Sequence, residues 1–149
     1  MINITRTDSN NPDFQKLTNK LDIELCRIYN TQPKDYEEYN RITDLGTVVL
    51  VYFNSDPIAC GCFKKLDETT VELKRMYVDS AFRGRGIGST MVKELENWAM
   101  GLGSKAVVLE TGKKQPEAIA MYRKLGYHNI SGYSKDTETD NSVCMKKTF

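Results

Sequence analysis

The segment Arg83-Gly84-Arg85-Gly86-Ile87-Gly88-Ser89 places three alternate glycines between a β-rich run ending at Val78 and an apolar stripe at helical spacing, Ile87, Met91, Leu95, Trp98 and Leu102. Glycine tolerates positive φ and lets the main chain approach a ligand closely, at an entropic cost that a plain turn has no reason to meet three times over. The first amides of a helix have no internal acceptor and point outward, and the helix dipole adds positive potential there. Strand, glycine turn and helix therefore form a cradle for an anion such as a pyrophosphate, with Arg83 and Arg85 as charged clamps. A dinucleotide fingerprint requires glycine where Ser89 stands, and no Gly-Lys-Ser/Thr completes a phosphate loop.

The flanking pattern constrains what the turn can belong to. Ile2 and Ile4 alternate with polar neighbours, which predicts a short strand, and Asn11-Pro12 opens an amphipathic helix carrying Phe14, Leu17, Leu21, Leu25 and Ile28 and ending near Tyr29. Pro33 begins a second helical stretch with Tyr36 and Tyr39. The run 47–53 and Ile58 to Lys64 read as a hairpin around the turn Asn54 to Pro57, and Thr69 to Val78 as a further strand. Ala106 to Leu109 suits a buried parallel strand. Gln115-Pro116 opens a helix lined by Ile119, Tyr122 and Leu125, and strands at Tyr127 to Tyr133 and Ser142 to Lys146 flank the polar stretch from Ser134 to Asn141. Hairpin strands followed by strand, helix, strand, helix predict a mixed α/β domain over 1–149 around one central sheet.

Charge and composition exclude several functions. Twenty-one Lys and Arg against twenty Asp and Glu give a net charge of +1, too little for a cationic field that holds nucleic acid or anionic lipid. The longest apolar run, Val48 to Phe53, is far too short to span a membrane, and Met1 to Phe14 lacks a signal peptide's pattern, so the expectation is a cytoplasmic protein. Cys26, Cys60, Cys62 and Cys144 stand in apolar settings without zinc-knuckle or redox spacing, which reads as buried thiols and no metal site. His128 is the one histidine, and no nucleophile motif accompanies it.

Three segments in order carry a family resemblance. Arg83 to Gly88 fits Arg/Gln-x-x-Gly-x-Gly/Ala, Glu72-Leu-Lys-Arg-Met-Tyr-Val78 precedes it as a strand, and Gln115 to Tyr127 follows Asn-x-x-Ala-x-x-x-Tyr-x-x-x-Gly-Phe/Tyr with Gln at the first position. Together they resemble the GNAT superfamily of acyl-CoA-dependent N-acetyltransferases. Leu109-Glu-Thr-Gly112 and Asn141 to Met145 further resemble a small bacterial subgroup. The resemblance implies a central, mixed, mostly antiparallel sheet of about six to seven strands with flanking helices.

For the site, the resemblance implies acetyl-CoA as co-substrate. Its pantetheine would pair with the backbone of Met76, Tyr77 and Val78, its pyrophosphate would meet Arg83, Gly84, Arg85, Gly86, Ile87, Gly88 and Ser89, and Gln115 would replace the family's asparagine beside the pantetheine. Glu72 matches a catalytic glutamate of some members, with Glu110 in reserve, and a strand glutamate paired with Lys74 or Arg75 is the alternative reading. Tyr122 occupies the family's acid position, although its helical stripe also fits a core aromatic. Asp22, Glu24, Tyr29 and Tyr36 on the amino-terminal helices would receive a small cationic amine. The function implied is acetyl transfer to a primary amine by direct attack, in an enzyme class where homodimers are common. A non-catalytic acyl-CoA sensor and a dinucleotide-dependent enzyme are the other readings.

Overall fold

A computed structural model describes residues 1–32, 45–133 and 141–149. The predicted helical stretch from Pro33 and most of the polar stretch from Ser134 lie outside these residues. Seven strands form one open sheet in the order β1-β2-β3-β4-β5-β7-β6. They are β1 (Ile2–Thr7), β2 (Val48–Phe53), β3 (Asp56–Lys65), β4 (Thr70–Val78), β5 (Ala106–Gly112), β6 (His128–Ile130) and β7 (Ser142–Thr148). The helices are α1 (Pro12–Tyr29), α2 (Ile87–Gly101) and α3 (Pro116–Lys124). The fold is a mixed α/β domain of the expected class.

The chain packs as two compact units, Met1–Cys62 with Arg75–Leu95, and Phe63–Lys74 with Glu96–Phe149. In the first, α1 forms because Pro12 presets its first turn and the Asn11 side chain caps it, accepting from the Asp13 N–H at 2.9 Å. It ends where Asn30 turns left-handed at φ 52°. The helix buries Phe14, Leu17 and Leu21 against Val48 and Leu50 of β2, Cys60 and Cys62 of β3, and Tyr77 of β4. Each such side chain contributes roughly 1.5–3 kcal/mol when fully buried. The β2–β3 turn is tighter than expected, with Asn54 and Ser55 alone at φ 48° and 77°, the double positive φ of a two-residue hairpin. Because Val51 faces Ala59 and Tyr52 faces Pro57, Ile58 is the extra residue of a bulge.

In the second unit, β5 runs parallel to β4 and antiparallel to β7, burying Ala106 to Leu109 as expected of an interior parallel strand. The last strands differ from their predicted lengths. β6 ends at Ile130, because Ser131-Gly132 has little preference for a pleated strand, whereas β7 continues to Thr148 along the whole of β5. Cys60, Cys62 and Cys144 are buried and unoxidised, and Cys26 is half-buried.

Candidate active site

The glycine turn is anchored before it bends. Asp79 hydrogen-bonds through its N–H to Ile58 O at 2.8 Å, and its side chain accepts from the Ala81 N–H at 3.1 Å to start the single 3-10 turn Ser80–Phe82. That backbone hydrogen bond, with Lys20 beside it, holds the Asp79 carboxyl below its ordinary range. Gly84 and Gly86 both sit at φ 79°, the left-handed region that an L side chain enters only at a cost. A Cβ on either would meet nothing within 4 Å. Packing therefore does not demand glycine here; backbone direction does, and the space in front of both residues is open. α2 closes its first turn with the Thr90 N–H on Gly86 O at 3.0 Å, so the N–H groups of Ile87, Gly88 and Ser89 precede the internal ladder. Main-chain donors grouped at a helix start in this way are able to receive an anion.

Arg83 is engaged locally. Its Nε donates to Val78 O at 2.7 Å and one terminal nitrogen donates to both oxygens of Glu24 at 2.7 and 2.9 Å. Its guanidinium also lies over the Tyr77 ring at 5.6 Å, while Arg85 covers Phe82 at 5.4 Å. Immediately before, β4 is irregular: Arg75 adopts φ 57° and is held by Thr18 O at 2.9 Å and Asp22 Oδ1 at 2.7 Å. The β4–β5 ladder runs from Thr70 with Ala106 to Leu73 with Leu109, although β4 continues to Val78. Met76 packs its sulfur against Gly61, where a Cβ would collide with it. The two carboxylates expected to receive a cationic amine, Asp22 and Glu24, are thus each committed to an arginine, and Tyr36 lies outside the described residues.

Glu72 is buried on β4, in the regular part of the strand. Its Oε2 accepts from the Tyr133 hydroxyl at 2.5 Å, and Oε1 faces the ammonium groups of Lys64 and Lys74, each at 3.8 Å. Of the two pairings in the alternative reading of Glu72, the one with Lys74 is present and Arg75 is held by Asp22 instead; Tyr133 is a partner that no sequence pattern announces. Glu72 and Tyr133 are 61 positions apart, and no periodicity links them. Burial, then the hydrogen bond to Glu72, pushes the Tyr133 hydroxyl well above the usual tyrosine pKa. Glu110 accepts from the Ser142 hydroxyl.

Tyr122 on α3 is 4% exposed, and burial raises its hydroxyl above the ordinary tyrosine value. Its ring packs edge-on to Tyr127 at 5.6 Å. Tyr127 donates at 2.8 Å to Glu96, a buried carboxylate on α2 whose other oxygen takes Lys147 at 3.1 Å. Gln115 turns inward at the start of α3, its Oε1 accepting from the Gly112 N–H at 3.1 Å. Among the described residues no group of three or more His, Cys, Asp or Glu is placed to hold a metal ion, and no helix is long and apolar enough to cross a membrane.

A parallel ladder that runs from Thr70 to Leu73 of β4 and a left-handed glycine bend that leads into a helix belong to a mixed α/β fold of the class expected from the sequence. The chain belongs to the GNAT acetyltransferase family: the profile described as Acetyltransferase (GNAT) family matches residues 14–127. It is 43% identical over 140 residues to the IAA acetyltransferase of Azospirillum brasilense, covering 89% of this chain and 88% of that one. A crystal structure from Klebsiella pneumoniae superposes with a TM-score of 0.82 at 25% identity, over 99% of this chain and 97% of that chain. A GNAT family acetyltransferase from Elizabethkingia anophelis, solved with acetyl-CoA bound, shares the fold at a TM-score of 0.70 and 18% identity, over 99% and 98% of the two chains. Some relatives are longer, and the chain spans 50% of a matched protein from Xenopus tropicalis.

Proposed function

We propose that the protein transfers the acetyl group of acetyl-CoA to a primary amine of a small molecule by direct attack in a ternary complex. The observation that carries this reading is the bend with Gly84 and Gly86 at φ 79° opening onto α2. In this reading the N–H groups from Arg83 to Ser89 receive the pyrophosphate, Arg85 supplies charge, and the backbone of Met76, Tyr77 and Val78 pairs with the pantetheine. Gln115 helps indirectly by closing the turn after β5. Arg83 shapes the loop through Val78 and Glu24.

An alkyl ammonium with a pKa of about 10 is almost wholly protonated at neutral pH, so a base must free the lone pair. Glu72 takes that proton. The amine nitrogen then bonds to the thioester carbon, the carbon–sulfur bond breaks, and its electron pair leaves on the sulfur. A main-chain N–H of β4 meets the transient oxyanion. Tyr122, a phenol that keeps its proton at neutral pH, donates to the departing thiolate, and the tyrosinate left behind is reprotonated by the second proton that the nitrogen sheds as the amide forms. No enzyme-bound acyl group forms.

Thiol release from acetyl-CoA across a panel of amines tests the proposal. Calorimetric binding of CoA with no release for any amine would point instead to an acyl-CoA sensor, and absence of binding would remove both readings. Homodimerisation, a frequent state among enzymes of this type, is read from light scattering on the same sample.

A further inference from the structure

The charges around Glu72 constrain what can approach it. Among the described residues of Phe63–Lys74 and Glu96–Phe149, the groups facing this carboxylate are Lys64 on β3, Lys74 on β4 itself and Tyr133 beyond β6. Glu110 on β5 also acts electrostatically on Tyr133 and is occupied by Ser142 of β7. Lys74 is mostly covered, its side chain 16% exposed, whereas Lys64 is 47% exposed. At 3.8 Å the Lys64 ammonium attracts Glu72 without hydrogen-bonding to it. A second cationic group on the acceptor would enter against two ammonium groups. A carboxylate would instead meet Lys64 and form the charge-assisted hydrogen bonds that Glu72 leaves unmade.

We infer that the acceptor is an amine that also carries a carboxylate, as an amino acid does, with its nitrogen at Glu72 and its carboxylate on Lys64. This rests on the acetyl-transfer reading and on Glu72 as the base. Diamines and polyamines are disfavoured on the same ground, since like charges brought together in a partly desolvated site repel strongly. The half-exposed lysine suits a ligand that arrives from solvent, because its long stem moves with little penalty.

The test uses matched pairs, phenylalanine against phenethylamine and lysine against cadaverine, with CoA thiol release read at saturating acetyl-CoA. The expected result is a kcat/KM about tenfold higher for the carboxylated member of each pair, expressed mainly in KM. Lys64→Ala closes that gap and Lys64→Arg restores it. Equal rates within each pair, or a loss in Lys64→Ala that is the same for both members, overturns the inference. If no amine releases thiol although CoA binds, the transfer reading has failed. Calorimetric titration of the amino acids into the CoA-bound protein then still reads the pocket: binding weakened by Lys64→Ala keeps the carboxylate contact, and binding that is absent or indifferent to the substitution removes it.

Discussion

Met1–Cys62 with Arg75–Leu95 ties three of its arginines to carboxylates, whereas Phe63–Lys74 with Glu96–Phe149 gives each of its buried carboxylates Glu72 and Glu96 a tyrosine hydroxyl. In the first unit Arg75 meets Asp22 at 2.7 Å, Arg83 meets Glu24 at 2.7 Å and Arg6 meets Glu94 at 2.6 Å. In the second, Glu72 and Glu96 accept from Tyr133 and Tyr127 at 2.5 and 2.8 Å, with lysines farther out. Guanidinium–carboxylate pairs hold their charge across the ordinary pH range. Phenol–carboxylate contacts keep an exchangeable proton beside an anion. One unit is therefore suited to fixing a strand and a loop whose main chain binds charge, and the other to holding protons where a reaction needs them.

The sharpest way to break this comparison is to damage the loop and the proton groups separately. Gly86→Val forces a β-branched residue to φ 79°, where strain of roughly 1–3 kcal/mol is expected and the neighbouring amides turn away. CoA affinity measured by calorimetry should fall to the limit of detection, while the fold, read by circular dichroism, persists because no atom lies within 4 Å of the new Cβ. Retained affinity would show that the bend does not hold the ligand. Tyr122→Phe should do the reverse, lowering kcat by about a hundredfold while CoA affinity changes less than about twofold, since only the proton donor is lost. A rate unchanged from that of the parent protein returns Tyr122 to the role of a core aromatic.

What was legible in the sequence was local. The glycine bend, the Asn11-Pro12 start of α1, the apolar run of β5 and the Gln115-Pro116 start of α3 each depend on residues within a few positions of one another, and all lie where expected. The sequence predicts a longer β6 because an aromatic at each end, Tyr127 and Tyr133, imitates a strand around Ser131-Gly132, whereas the strand is His128–Ile130. The commitments of Asp22 and Glu24 to arginines 53 and 59 residues away were not legible, because pairing at such separation is decided by how α1 lies on β4. The left-handed turn at Arg75 was equally hidden, since a buried arginine at φ 57° follows from its tertiary contacts and not from its own preference.

Glu72→Gln sharpens the comparison at the base. The amide keeps the shape and can still accept from Tyr133, but takes no proton. Below an amine pKa of about 10 the reactive fraction rises about tenfold per pH unit, so the variant should lose about tenfold or more in kcat/KM at pH 7. It should recover toward the parent rate as pH rises. A profile parallel to the parent's would assign the proton transfer to another group.

The smallest effect concerns stability in alkali, and its sign follows from the tyrosines. Burial raises Tyr122, Tyr127 and Tyr133 above the ordinary value of 10.0, so the folded chain keeps these protons where the unfolded chain releases them. Stability is full below pH 10 and falls as pH rises through and above it, by up to about 1.4 kcal/mol per pH unit for each buried tyrosine. Tyr52 of the first unit, raised by burial and by Asp13 to about 12, adds a contribution that levels off near that pH. Chemical denaturation at pH 9, 10 and 11 should therefore give a falling midpoint, and Tyr127→Phe should flatten the fall although it lowers stability at pH 9 by removing the Glu96 partner. An undiminished slope in Tyr127→Phe would mean that this hydroxyl ionises as readily in the fold as out of it, and that Glu96 is not held by a phenol proton.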